Sequence, residues 1–240
     1  MIIVLAIDAL EYEKVQQFGC DNLKQQYYGK TDISEFSEPR TMVLWSSFIT
    51  GMNKEKVVLS GGNNEMWSKR WNIGDTLFSS FKDPIVLDLP GFSYDLLSHE
   101  KSRNLLRRFF EAENNNEKEA ILKEYNKDAI EHHKKIKEKF LEAIKQRHDI
   151  VLGYFSAIDV IGHLNFGNGT MMKTLYREMD ELAAEIKNIP DTKLIVLSDH
   201  GMKPIGAFGD HSNYGFWSTS FDAHLSSPKI TDFFKVIQNL

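Results

Sequence analysis

The chain is expected to fold as a three-layer α/β/α sandwich around a mostly parallel central sheet, and three features of the sequence carry that expectation. First, Ile2 to Ile7, Ile150 to Phe155 and Leu194 to Leu197 are short, largely apolar runs, the pattern of strands buried on both faces. Second, helical periodicity stands between them, as the crossovers of a parallel sheet require. Third, each run is followed at its carboxyl end by an aspartate: Asp8, Asp159 and Asp199. Open α/β sheets build their sites at that edge. At 240 residues the length suits one domain spanning 1–240, with a helical, cap-like insertion at about 98–147.

The elements follow in order. After the first strand, residues 11–23 form a weak helix with Val15, Phe18 and Leu23 facing inward. Thr41 opens an apolar helical segment that runs to Thr50 and stops at Gly51, a C-cap residue. On this segment alone Thr41 reads as an N-cap. A hydroxyl there also lies in the field of free backbone N–H groups, which favours an anionic oxygen. Val57-Val58-Leu59 reads as a strand leading into the loop Gly61-Gly62-Asn63-Asn64. Ile73 to Phe81 reads as a helix, and Pro84 to Leu89 as a strand ended by Pro90-Gly91.

Residues 100–147 carry Leu122, Tyr125, Ala129, Ile136, Phe140 and Ile144 three or four apart along most of the segment, which predicts one long amphipathic helix joined through Glu113 to Asn116. Its His132-His133 pair points in two directions and reads as a solvated face. Met172, Leu175, Met179, Leu182 and Ile186 form the buried stripe of a further helix, a packing pattern rather than a cofactor box. Beyond Asp199-His200 the chain is Gly-rich and irregular to Trp217, and a short helix from Pro228 closes it.

Composition narrows the function classes. A net charge of −5 argues against a surface that coats nucleic acid. Cys20 is the single cysteine, so no internal disulfide forms and a reducing, cytoplasmic setting is expected. The opening Met1 to Ile7 lacks the basic start and small-residue cleavage site of a signal peptide, and no apolar run reaches the length of a membrane span.

Asp8, Asp159-x-x-x-His163, Asp199-His200 and His211 supply three carboxylates and three imidazoles. With a threonine oxygen and water added, these suffice for two cations, and two such cations about 4 Å apart suit in-line displacement at phosphorus. Asp159 and His163, four apart, share one side of a helical turn.

The order Asp8, then Thr41 before a helix ending Thr50-Gly51, then Asp159-x-x-Gly162-His163, then Asp199-His200-Gly201-Met202, then His211 resembles the alkaline phosphatase superfamily. Within it, the order is most similar to the type I phosphodiesterase/nucleotide pyrophosphatase branch. The resemblance implies an alkaline phosphatase-like fold, one metal held by Asp159, His163 and His211, and another held by Asp8, Asp199 and His200. It makes Thr41 the nucleophile, passing through a covalent phospho-threonine, and Asn63 a phosphate contact one residue out of register. Val43 and Leu44 stand where the family usually has Pro and a polar residue, which leaves substrate specificity open.

The expected activity is metal-dependent hydrolysis of phosphodiester or pyrophosphate bonds in a small, nucleotide-type substrate. Zinc is the first choice of ion and manganese its rival. A phosphomonoesterase of the same superfamily is the alternative, and a non-catalytic binding relative a further one. Thr41-Met42-Val43 departs from a sulfatase nucleophile motif, and the chain is short for a phosphoglycerate mutase.

Overall fold

The computed structural model describes all 240 residues apart from the side chains of Asn63 and Asn64. In chain order the elements begin with β1 (Ile2–Ile7), α1 (Tyr12–Gln17), β2 (Tyr27–Asp32), α2 (Thr41–Thr50), α3 (Glu55–Leu59) and α4 (Gly62–Met66). Two 3-10 turns then precede β3 (Pro84–Leu87). The helices α5 (Leu96–Glu111) and α6 (Asn115–Gln146) lead to β4 (Ile150–Phe155). Next come α7 (Ala157–Asn165), α8 (Gly169–Lys187) and β5 (Lys193–Leu197). The chain closes with β6 (Met202–Ile205), β7 (Phe208–His211), β8 (Tyr214–Thr219) and α9 (Asp232–Gln238).

Six strands form one sheet in the order β2-β8-β5-β1-β4-β3. β5, β1, β4 and β3 run parallel, and β8 runs antiparallel to β5 and to β2. The two faces of β1 separate two cores. Ile3, Leu5 and Ile7 pack with Phe140 of α6 and with Met172, Met179 and Ile186 of α8. Ile2, Val4 and Ala6 pack with Trp45 and Phe48 of α2 and with Phe233 of α9. The result is the expected α/β/α layering. Each of the larger of these side chains contributes about 1.5–3 kcal/mol by leaving water, so the central strand is fixed from both sides.

Register carries this order to the site. Ile7 pairs with Phe155 and Ala6 with Leu197. The residues just beyond β1, β4 and β5 therefore emerge side by side at one carboxyl edge.

Several local expectations are corrected. Val57 to Leu59 lies in a helix, because Asn53 Oδ1 accepts the Glu55 N–H and starts the turn, and of the three only Val58 is buried. The Ile73 to Phe81 segment is two 3-10 turns interrupted by extended Thr76, whose hydroxyl donates to the Ile73 carbonyl. The long helix is two. α5 stops before extended Ala112, and Asn114 caps α6 by accepting the Glu117 N–H. The break lets Leu105 and Phe109 fold back on Ile121 and Tyr125, which a continuous rod could not do. The weak first helix ends at Gln17, ahead of Gly19 at φ +62°. The stretch read as irregular holds the β6-β7 hairpin, turned at Gly206, and β8, which lies between β2 and β5 in the sheet. The last helix starts at Asp232, while the Pro228 carbonyl accepts the Asp32 N–H. Among the described residues, no helix is long and apolar enough to cross a membrane.

Candidate metal centre

Asp8 directly follows β1, and Asp199-His200 follow β5 after Ser198. Asp159 and His163 lie one turn apart on α7, the helix that leaves β4, and His211 ends β7. Thr41 is the first residue of α2 and is buried. The N-cap position belongs to Arg40, and Thr41 makes no capping bond. Its hydroxyl lies instead 3.3 Å from His200 Nε2.

Around His200 Nε2 stand Asp8 Oδ1 at 3.3 Å, Asp199 Oδ2 at 3.4 Å and Thr41 Oγ1. A second set forms a nearly equilateral triangle. Asp159 Oδ1 is 3.4 Å from His163 Nε2 and 3.3 Å from His211 Nε2, and the two nitrogens are 3.4 Å apart. Stacking of the His200 and His211 rings, 3.8 Å between centroids, joins the two sets. Ligands about 2.05 Å from a tetrahedral cation are about 3.3 Å from one another. Both sets have that spacing.

The imidazoles are prepared for metal by their other nitrogens. Nδ1 of His200 donates to the Gly201 carbonyl at 3.0 Å, that of His211 to the Pro39 carbonyl at 2.7 Å, and that of His163 to the Gly209 carbonyl at 3.2 Å. An imidazole that donates from Nδ1 is oriented to coordinate a cation through Nε2 once that nitrogen is deprotonated, and the three Nε2 atoms face three carboxylates. Asp8 Oδ1, Asp159 Oδ1 and both Asp199 oxygens are buried without a hydrogen-bond partner. Unpartnered buried acceptors are rare, and here they all lie where a cation would satisfy them. The residues fit two divalent ions.

Charge supports the same conclusion. Burial, with Asp159 nearby, pushes Asp8 up to about 7, against the hydroxyl that Tyr154 donates to it. Burial and Asp8 push Asp199 well above the usual carboxylate range. Asp159 is also raised by burial, but His163 and His211 outweigh this and hold it well below that range. Burial lowers His163, yet Asp159 overrides it and lifts the imidazole to about 9. Burial and His211 keep His200 neutral by pushing it down. Three carboxylates packed this closely repel one another, and a divalent cation removes that cost.

Among the described residues a further metal-capable set is Asp88, His99 and His132. Its spacing differs. Asp88 Oδ2 lies 2.8 Å from His99 Nε2 and 2.6 Å from His132 Nε2, the lengths of charge-assisted hydrogen bonds rather than the edges of a coordination shell. Asp88 is raised by burial, but the two imidazoles outweigh that and bring it to about 2. The histidine pair read as solvated is therefore engaged: His132 with Asp88, and buried His133 3.1 Å from Glu178.

Other residues that shape the site gave no sequence signal. Glu11 is buried and accepts from the Met202 N–H, the Ser212 hydroxyl and the Tyr214 hydroxyl. It thereby holds the turn after His200. Ser198 accepts from the Leu10 N–H and donates to the His200 carbonyl, tying the ends of β1 and β5. Gly201 is needed for space, since a Cβ would lie 2.2 Å from Glu11 Oε2 and its φ is not positive. Gly162 and Gly209 make room for the Met202 sulfur, which would meet their Cβ atoms at 2.3 and 2.4 Å. Asn63 falls in α4, but its expected phosphate contact lies outside the described residues.

The centre opens into a cavity of about 240 Å³ lined by Asp8, Thr41, Asp159, Trp67, Tyr94 and Arg103, among others.

Comparison with known proteins follows the same lines. The TAB5 alkaline phosphatase, in a mutant with Mg bound, superposes with a TM-score of 0.57 at 12% identity over 99% of this chain and 96% of its own. The murine ectonucleotide pyrophosphatase/phosphodiesterase 5 aligns with a TM-score of 0.49 at 12% identity, over 85% of this chain and 58% of its own. A 67-residue stretch, 27% of the chain, is 34% identical to GPI ethanolamine phosphate transferase 2 of Kluyveromyces lactis and spans 8% of that protein's length. Residues 60–224 match the family of type I phosphodiesterases and nucleotide pyrophosphatases, a span that begins after Asp8 and Thr41 and takes in the other five metal-type residues. The chain belongs to the type I phosphodiesterase/nucleotide pyrophosphatase family.

Proposed function

We propose that the chain is a two-metal hydrolase of phosphodiester and pyrophosphate bonds in small, nucleotide-type substrates, with Thr41 as nucleophile. The observation that carries this is the convergence of three Nε2 atoms and unpartnered carboxylate oxygens at 3.3–3.4 Å spacing beside the Thr41 hydroxyl. One ion would be held by Asp8, Asp199 and His200, the other by Asp159, His163 and His211; together they would supply Lewis acidity toward the nucleophilic and leaving oxygens. The mixed imidazole and carboxylate donors suit zinc, with manganese next.

Thr41 Oγ1 attacks phosphorus, the bond to the leaving oxygen breaks, and the hydroxyl proton ends on the departing alcohol or phosphate. Water then attacks the phospho-threonine, returning one proton to Thr41 and releasing the acid. Burial holds the hydroxyl in one place and excludes competing water. The free N–H groups of the first turn of α2 favour negative charge as it develops there. Tyr154 and Ser198 fix the strand ends from which Asp8 and Asp199 project.

Hydrolysis of bis-p-nitrophenyl phosphate and p-nitrophenyl phosphate, with zinc or manganese and with EDTA, tests the reading. Diester turnover abolished by EDTA and by Thr41→Ala supports it. Preference for the monoester would make the protein a phosphatase with the same site. Absence of bound metal would refute it, and point to a binding relative.

A further inference from the structure

We propose that Arg103 recognises a second anionic group on the leaving-group side of the substrate, so that pyrophosphates are preferred over esters with neutral leaving groups. This rests on the phosphodiesterase reading and names the substrate class within it.

The position of Arg103 follows from the periodicity of α5. His99, Ser102, Arg103 and Leu106 recur at i, i+3, i+4 and i+7, and all four line the cavity that holds Asp8, Thr41 and Asp159. Arg103 also lines a wider groove of about 790 Å³ outside that cavity, which it shares with Trp67. It therefore stands at the junction between the nucleophile's cavity and the exterior. In an in-line displacement the departing oxygen lies across phosphorus from the attacking Thr41 hydroxyl, so a group bonded to that oxygen, rather than the phosphoryl group on Thr41, would extend toward that junction.

Arg103 is half-buried, yet among the described residues its guanidinium makes no hydrogen bond and no ion pair. Its neighbours differ. Lys101 pairs with Asp128, Arg107 with Glu111, Lys135 with Asp95 and Lys137 with Glu178. Five donors in a fixed fork, partly withdrawn from water and without an acceptor, are poised for a bidentate oxyanion.

The fork is also held in place. The guanidinium lies 4.3 Å from the Trp67 ring centre. Trp67 stacks on Tyr94 at 15°, Tyr94 stacks on His99 at 10°, and His99 is bonded to buried Asp88. A four-membered stack thus anchors the cation to the end of β3.

The test compares wild type, Arg103→Met and Arg103→Lys on ADP, whose leaving group carries the oxyanions of a phosphate, and on bis-p-nitrophenyl phosphate, whose leaving group bears no second anionic group. One charged hydrogen-bonded contact corresponds to roughly 10- to 100-fold. Arg103→Met is expected to lose about that factor in kcat/KM on ADP, mainly through KM, and less than about threefold on the diester, with Arg103→Lys in between. Binding of non-hydrolysable α,β-methylene-ADP, followed by calorimetry, should weaken by the same factor, while thermal melting stays unchanged. An equal loss on both substrates, or none on ADP, would overturn the inference while leaving the phosphodiesterase reading intact. A wild type that turns over neither substrate with metal present would overturn both.

Discussion

Thr41 Oγ1 and His200 Nε2 are 159 residues apart in sequence and 3.3 Å apart in the fold. The contact exists because α2 begins at Thr41 without a side-chain cap, which leaves the hydroxyl free to face the end of β5. Thr41→Ala should therefore leave helix and fold nearly unchanged, because the lost hydroxyl caps nothing. Turnover should fall by roughly 10³-fold or more, as when a nucleophile is removed from other covalent enzymes. Intact-mass analysis after acid quench should show a phosphoryl adduct in wild type and none in the variant. An adduct in the variant would move the nucleophile elsewhere.

Metal removal should separate the two roles of the buried carboxylates. Each ion at a thousand times its dissociation constant stabilises the fold by about 4 kcal/mol, so EDTA should lower the melting temperature. Asp199 is pushed up by burial and by Asp8, so in EDTA the charge is a liability. Asp199→Asn should melt higher than wild type in EDTA and lower than wild type with zinc. Differential scanning calorimetry in both buffers checks the crossover, and parallel shifts in the two would contradict it.

What was legible in the sequence were groups attached to buried runs. Asp8 and Asp199-His200 terminate strands whose apolar character is unbroken, and strand order alone brings their ends together. Glu11 was not legible, because its partners Met202, Ser212 and Tyr214 lie about 200 positions away and none forms a pattern with it. β8 escaped for a different reason. It is buried, yet Ser218 and Thr219 occupy interior positions by donating to the Leu23 and Phe221 carbonyls. Hydropathy alone hides such a strand. His132 was misread because a helical wheel ranks residues by apolarity, whereas this imidazole is held by one carboxylate on β3's far end.

That carboxylate makes a prediction about acid. Asp88 is brought from an ordinary 3.8 to about 2, His132 and His99 overcoming the effect of burial. A depressed carboxyl contributes stability that is complete above pH 3.8 and lost as pH falls toward 2, here about 2 kcal/mol. His99, lowered by burial, acts in the same direction, since the unfolded chain takes up that proton first. Urea denaturation between pH 7 and 3 should show falling stability. Asp88→Asn should cost about 3 kcal/mol at pH 7 and flatten the acid slope. An unchanged slope would place the acid-sensitive groups elsewhere.

Glu11 and Gly201 predict how the turn behind the candidate metal ligands is held. The carboxylate fills the space a Cβ on Gly201 would need, leaving 2.2 Å to Oε2 and 2.6 Å to the Ser212 hydroxyl. Gly201→Ala must displace one of them, and overpacking of this kind costs about 1–3 kcal/mol. Glu11→Ala removes the nearer obstruction and frees the Ser212 hydroxyl, which donates to Glu11, to move, but it leaves the Met202 N–H without its acceptor. The pair is therefore expected to be non-additive: the double variant should be more stable than the sum of the singles by about 1 kcal/mol. Metal affinity should fall about 10- to 100-fold in Glu11→Ala, as for other groups that orient a ligand without touching the ion. Denaturation of the four proteins of the cycle, with zinc titration of each, checks both. Strict additivity with unchanged zinc affinity would show that the turn after His200 is held by the hairpin and not by Glu11.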